Sequence, residues 1–365
     1  MRRINGLMSN NNKTNRIYSI DFLRVIASIF IVMYHYQIFG GYFIPGGLNF
    51  AGGRFDFSTM VEFFFLSAGF FEVSISKCRE MSFRKFFIPK AVRLIPQVAL
   101  SVVVYEIFAI ILERIGFFTS FNISLRGSII TALCLHGIGI FDNPWINGAT
   151  WFVSVLLLCH IIYFVIVKIC TKIKLNCMIP FGLLIILGIG LKITKIDLPF
   201  LNVYTGRGYS MFFFGCILAG LINKLSTLKI QSDAREFKLD IIAECILWPV
   251  VIGTLLAHLS PRDIPMKGLL LYFIVYPGLF ILFGFGSIRK LYSHKIFGTL
   301  GNITYDVYVW HGPMLLLLGI ITHYFPKIQM SFTPVAAAFV LFMFLFGALM
   351  YFLIDKPLNK LMKKE

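Results

Sequence analysis

Apolar runs separated by short polar stretches set the pattern of the chain. They fall at about 17–39, 58–76, 94–112, 126–141, 150–168, 178–194, 209–224, 240–258, 268–287, 303–322 and 334–354. Most approach the roughly 20 residues that a helix needs to cross the hydrocarbon core. Run 126–141 differs from the rest. It is short, holds His136 and three glycines, and ends in FDNPWING. The pattern predicts an all-α, polytopic membrane bundle of about ten transmembrane helices, with 126–141 as a re-entrant or interfacial segment. It divides the chain into a disordered cytoplasmic tail (1–16), one transmembrane domain (17–358) and a basic cytoplasmic tail (359–365).

Charge fixes the orientation. With ten spans, about 24 of the 34 Lys and Arg residues collect on one side, and the positive-inside rule makes that side cytoplasmic. Both termini are then cytoplasmic in a multi-pass protein of the cell membrane. A chain that is 58% hydrophobic, with 40 phenylalanines, does not read as a soluble domain. The net charge of +17 is spread over loops on one side of a bilayer, which argues for topology and an anionic partner and against nucleic acid. The seven cysteines show neither CxxC spacing nor paired loop positions, so free buried thiols are expected.

The first run carries three ionisable groups, Asp21, Arg24 and His35. Each such group at membrane depth costs about 2.5–3.5 kcal/mol on insertion scales. Arg24 and His35 are eleven positions apart, three helical turns plus about 20°, so they share a face some 16 Å apart along the axis. Asp21 is in reach of an i,i+3 pair with Arg24. The stripe must face the interior of a bundle, Arg24 inward and His35 outward. An imidazole suits general-base work on a hydroxyl; a helix-packing ion pair with an interfacial histidine is the plain alternative.

Other runs add candidates. The loop RKFFIPKAVRLIP holds Arg84, Lys85, Lys90 and Arg93, a set that can grip a phosphate-bearing ligand or simply mark topology. Pro89 and Pro96 suggest an irregular helix start there. In VEFFFLSAGFF, Glu62 needs a partner within an aromatic span, and the small Ser67, Ala68 and Gly69 admit a neighbouring helix or a slender acyl chain. Trp151 sits at interfacial depth in ATWFVSVLLLCHIIY, with His160 mid-span as an expected interhelical donor. GNITYDVYVWHGP places Tyr305, Asp306, Tyr308 and His311 in another span, with Asp306 and His311 on different faces. The histidines have no metal-ligand spacing, so no metal is expected.

Together these segments resemble the acyltransferase family 3 membrane proteins, which include bacterial polysaccharide and peptidoglycan O-acetyltransferases. SIDFLRVIASIFIVMYHY is similar to the family's LDGLRxxA opening and R-x10-H pair, matched by Arg24 and His35. VEFFFLSAGFF is similar to EFFFxLSGF, with Ala68 in place of Ser; GNITYDVYVWHGP resembles G-x-I-S-Y-x-x-Y-L-x-H-P; FLIDKPLNKL resembles IEKPxRRL, with Asp355 for Glu. Two features depart from the pattern. Lys90 and Arg93 stand for R-x-x-R, and WFVSVLLLCH has no carboxylate where many members carry one.

The resemblance implies transfer of an acyl group, usually acetyl, from cytosolic acetyl-CoA or another acyl-CoA to a sugar hydroxyl outside the membrane. The donor is a substrate, and no cofactor is bound permanently. His35 would be the base, while Arg24, paired with Asp21, would orient the donor or stabilise charge; Lys90, Arg93, Arg84 and Lys85 would contact CoA; Glu62, Trp151, Tyr305 and His311 would be substrate-facing or structural polar groups. The partners are acyl-CoA, a sugar or polysaccharide and the lipid bilayer. A non-enzymatic exporter or flippase of glycans is the alternative, since intramembrane charges also suit a permeation path. Direct transfer and a covalent relay both remain open, as do the acceptor and the oligomeric state.

Overall fold

The computed structural model describes residues 16–43, 56–116, 124–141, 146–229, 241–259, 267–331 and 333–362. The expected tail 1–16 lies outside them except for Arg16, as do residues 44–55 and 230–240 and the last three residues of the basic tail. The described residues are helical, with one isolated bridge between Leu198 and Leu201 and no longer strand. We label the main helices α1 (Tyr18–Phe43), α2 (Met60–Phe70), α3 (Phe83–Arg114), α4 (Leu125–Ala132), α5 (Trp151–Ile173), α6 (Met178–Thr194), α7 (Val203–Lys229), α8 (Ile241–Leu259), α9 (Tyr276–Phe285), α10 (Lys295–Tyr324) and α11 (Thr333–Met350). Single π turns lead into α9 (Leu271–Val275) and out of α11 (Tyr351–Asp355).

Among the described residues, seven helical stretches are long and apolar enough to cross a membrane, and two more apolar ones, Phe57–Phe70 and Met178–Thr194, are shorter. Helix α10 is thirty residues long. Helices satisfy their own backbone groups, which is what a bilayer demands of any spanning segment. The exposed faces are apolar: Ile179, Leu183 and Ile186 on α6, Ile241, Ile242 and Ile246 on α8, Leu341 and Leu345 on α11.

Three expectations change, and none of them concerns run 126–141. That run forms only the eight-residue α4 and then turns; eight residues rise about 12 Å against a core of about 30 Å, so this stretch is no spanning helix. The span expected over 58–76 stops at Phe70, and a turn follows at Phe71 and Glu72. The basic loop 77–93 is largely helical. A short helix (Ile75–Glu80) precedes α3, which starts at Phe83 behind Ser82, whose hydroxyl accepts the Lys85 N–H. Pro89 and Pro96 therefore lie inside a continuous helix. Finally, α7 begins at Val203, six residues before the expected 209, which brings Arg207 into its first turns.

The helices form two groups. In one, α10 packs on α1, α3 and α11; in the other, α7 packs on α2, α5 and α6. Asp21 lies against Gly301, Arg24 against Thr304 and His35 against His311, so α1 and α10 run side by side in the same direction. The α2–α7 contact is a backbone approach. A Cβ on Gly69 would sit 1.9 Å from the Phe212 carbonyl oxygen, and one on Gly215 would sit 2.2 Å from that of Leu66. A cavity of about 280 Å³ lies between the two groups.

Candidate functional site

Five helices and one turn build the cavity wall. Arg24 comes from α1, Phe64, Ser67 and Ala68 from α2, Lys90, Arg93 and Leu94 from α3, Phe152, Leu156 and His160 from α5, and Thr304, Tyr305 and Tyr308 from α10; Phe71 and Glu72 come from the turn after α2. Its charged side chains are three cations, Arg24, Lys90 and Arg93, against the one carboxylate of Glu72, beside the His160 imidazole. A pocket with surplus positive charge in a low-dielectric wall attracts anions.

Local geometry fixes each of these groups. Arg24 donates Nη1–H to Asp21 Oδ1 at 3.1 Å and Nη2–H to Thr304 Oγ1 at 3.3 Å, so it is held between α1 and α10. Asp21 also accepts from Arg16. Because α2 breaks at Phe71, the Glu72 side chain can turn inward. Its Oε1 accepts from Val73 N–H at 2.7 Å and from Lys90 Nζ at 2.9 Å, and its Oε2 meets Nδ1 of His160. Lys90 also lies 4.4 Å from the Phe86 ring centre. The Tyr305 hydroxyl donates to the Leu94 carbonyl at 2.6 Å, pinning α10 to α3 beside the cavity.

Tyr308 and Phe152 pack edge to face on the cavity wall, with ring centres 5.4 Å apart. Neither His35 nor His311 lines the cavity. The Tyr308 ring lies 5.7 Å from His311, whose ring centre lies 4.6 Å from that of His35. His35 donates Nδ1–H to the Ile31 carbonyl at 3.0 Å, and His311 donates Nδ1–H to the Tyr308 carbonyl. Each Nδ1 proton is thus spoken for, which leaves a lone pair on each Nε2. His311 Nε2 is buried with no hydrogen-bond partner among the described residues. His35 is half-buried.

A second polar cluster stands apart. Glu62, fully buried, takes two hydrogen bonds of 2.7 Å from Arg207, and Lys192 approaches it at 3.5 Å. Arg207 lies 4.8 Å from the Trp151 ring and Lys192 lies 3.6 Å from that of Tyr272. A third cluster joins α3, α10 and the π turn after α11. Gln97 Nε2 donates to Asp306 Oδ1 at 2.7 Å and to Asp355 Oδ1 at 2.9 Å, while its Oε1 accepts from Trp310 at 2.8 Å.

The model of the acyltransferase domain (Acyl_transf_3) matches residues 17–353. The chain belongs to this acyltransferase family. It is also similar to the peptidoglycan O-acetyltransferase OatA of Listeria monocytogenes, at 24% identity over 388 aligned residues that cover 97% of this chain and 58% of OatA. The chain thus spans somewhat more than half the length of that curated relative. No solved structure matches.

Within this acyltransferase chain, nine of the eleven predicted site residues fall in three places. Asp21, Arg24, Lys90, Arg93 and Tyr305 gather at the cavity, with Asp21 behind Arg24; His35 and His311 pair beyond Tyr308; Glu62 and Trp151 join Arg207. Arg84 and Lys85 are exposed on the first turn of α3 and do not line the cavity. Ser67 and Ala68 face the cavity, whereas Gly69 on the same short helix serves packing. Sequence reasoning passed over Glu72, Arg207 and Lys192. Glu72 was hidden by the expected continuation of its helix, and Arg207 by its position four residues after the true start of α7. Helix α5 brings no carboxylate of its own to the cavity, and Glu72 from the turn after α2 meets its His160.

Proposed function

We propose that the protein is a membrane O-acyltransferase that moves an acyl group, acetyl foremost, from cytosolic acyl-CoA to a hydroxyl of a sugar or polysaccharide outside the membrane. The observation that carries this reading is the arrangement along α1 and α10: a cation-rich cavity at Arg24, and two imidazoles with free Nε2 lone pairs beyond its inner wall. The likeness to the Listeria peptidoglycan O-acetyltransferase supports the acetyl and glycan parts.

Ten spans follow when the two shorter apolar helices and α10 are added to the seven long ones. The common direction of α1 and α10 supports this count. With α4 on one side of the membrane, seven crossings separate the two helices, which makes them parallel; an eighth crossing at 126–141 would make them antiparallel. The transmembrane domain is 17–358, both termini are cytoplasmic, and the Arg24 side faces the cytosol, as the charge distribution indicates.

The roles follow from position. A cavity of about 280 Å³ lies near the lower end of the range for ligand pockets, about 300–1,000 Å³. It suits the acyl-bearing arm of CoA, with the nucleotide left at the mouth. There Lys90 and Arg93 meet its phosphates, and Arg84 and Lys85 add to the field. Arg24 orients the donor, Asp21 holds Arg24, and Nε2 of His35 takes the proton of the acceptor hydroxyl.

Membranes bearing His35→Ala are expected to lose transfer from labelled acetyl-CoA to glycan while the protein level holds. Unchanged transfer would remove His35 from the reaction. Transfer by detergent-solubilised protein, with no membrane gradient, separates an enzyme from an exporter.

A further inference from the structure

We propose that His311 is the covalent acyl carrier and that His35 serves the second half of the reaction. This inference rests on the acyltransferase reading above and settles the order of events within it.

Two imidazoles stand where a single general base would be enough. Each is locked by the same device, an Nδ1–H donated to a carbonyl one turn back in its own helix, Ile31 for His35 and Tyr308 for His311. Locking Nδ1 gives both rings the same free atom, Nε2. In His311 that atom is fully buried and has no hydrogen-bond partner among the described residues. A buried acceptor without a partner costs about 1–3 kcal/mol, so it calls for a reason. An incoming carbonyl carbon supplies one, because nucleophilic attack uses a lone pair that no proton occupies.

The two rings also stand in series. Tyr308 lines the donor cavity and touches His311; His311 touches His35; and His35 is the more accessible of the two. The histidine nearer the donor is therefore His311, and the one nearer the acceptor is His35. The acyl group reaches His311 when the Tyr308 ring, held by its hydroxyl on the Ala149 carbonyl, turns aside.

The steps balance. Nε2 of His311 attacks the thioester carbonyl carbon; a C–N bond forms, the C–S bond breaks, and its electron pair leaves on the CoA sulfur as thiolate. The acyl-imidazolium keeps its Nδ1–H on the Tyr308 carbonyl. The acceptor hydroxyl then attacks the acyl carbon and gives its proton to Nε2 of His35. The C–N bond breaks and its pair returns to His311. The proton on His35 balances the thiolate, so one thioester and one alcohol become one ester and one thiol.

A covalent carrier predicts exchange without acceptor. Purified protein, free of glycan, is given acetyl-CoA and labelled CoA, and label entering acetyl-CoA is followed; the same preparations are tested for transfer to added glycan-bearing membranes. Wild type and His35→Gln are expected to exchange, with transfer in His35→Gln down by roughly 10²–10⁴-fold. His311→Gln is expected to lose both. Wild type that transfers without exchanging, or His311→Gln that exchanges as wild type does, overturns the carrier and leaves the acyltransferase reading standing. A wild type that neither transfers nor exchanges overturns that reading, and the carrier with it. If His311→Gln does not accumulate in membranes, mapping the labelled acyl group in rapidly quenched wild type decides: a label on His311 supports the proposal, and a label elsewhere or none overturns it.

Discussion

Glu62 and Arg207, 145 residues apart in the chain, meet through two parallel hydrogen bonds of 2.7 Å. The geometry is a fork on a fork, the strongest arrangement open to such a pair. Lys192 adds a second cation at 3.5 Å, and Glu62 itself has no solvent exposure. Removing the carboxylate therefore leaves two cations without an adjacent counter-charge. Glu62→Ala is expected to lower the stability of the detergent-solubilised protein by about 3–5 kcal/mol. Thermal unfolding of the variant beside wild type measures this, and an unchanged midpoint would show that the pair contributes nothing net.

That pair also marks where the sequence stops being informative. Helical periodicity says which residues share a face, and the arithmetic for Arg24 and His35 is matched by both facing α10, at Thr304 and His311. The opposed faces of Asp306 and His311 were legible in the same way: one turns to Gln97, the other to His35. Periodicity does not say which helix lies opposite. Glu62 plainly needed a partner, but nothing local points to a residue 145 positions away. Glu72 was harder still, because its place in the cavity depends on α2 ending at Phe70, and the apolar run continues through Phe71. The sequence could not foresee Lys90 closing on Glu72 either, since the reach depends on α3 starting at Phe83.

The contact between α2 and α7 yields a paired test. A methyl on Gly69 would fall 1.9 Å from the Phe212 carbonyl oxygen, a backbone atom that can move only with its helix. Gly69→Ala is expected to cost about 1–3 kcal/mol, as overpacked sites do. Ala68 faces the cavity instead, so Ala68→Ser should leave the unfolding midpoint within the small range of an unstrained change. Equal effects at the two positions would contradict the division of this helix into a packing face and a cavity face.

Donor binding should depend on depth. Lys90 lines the cavity, half-buried, bonded to Glu72 and over Phe86. Hydrogen bonds to charged groups contribute about 1.5–3 kcal/mol. Lys90→Ala is therefore expected to raise the KM for acetyl-CoA by about tenfold or more, with a smaller change in kcat. Arg84 and Lys85 are exposed, where water and salt weaken charge pairs to at most about 1 kcal/mol. Arg84→Ala and Lys85→Ala should raise KM only a few-fold at low salt, and the difference should fade as ionic strength rises. A salt-independent loss at Arg84 would instead place it in direct contact with the donor.

The third polar cluster has an unusual charge pattern. Asp306 and Asp355 each accept one of the two N–H groups of Gln97, and both carboxyl groups are buried. The π turn Tyr351–Asp355 ends on Asp355 and sits where that carboxyl group meets the amide. Gln97 is well satisfied, since Trp310 bonds its oxygen, but Asp306 Oδ2 is buried with no partner among the described residues. Two carboxyl groups around one amide repel when both are charged, and burial magnifies the repulsion. Asp306→Asn keeps the acceptor oxygen toward Gln97 and removes one of the two charges. It is expected to hold or raise the unfolding midpoint. Gln97→Leu removes the shared donor while leaving both acids, and each stranded group costs about 1–3 kcal/mol, so its midpoint should fall clearly. If Asp306→Asn falls as far as Gln97→Leu, the cluster needs the Asp306 carboxylate itself and the two acids are not in conflict.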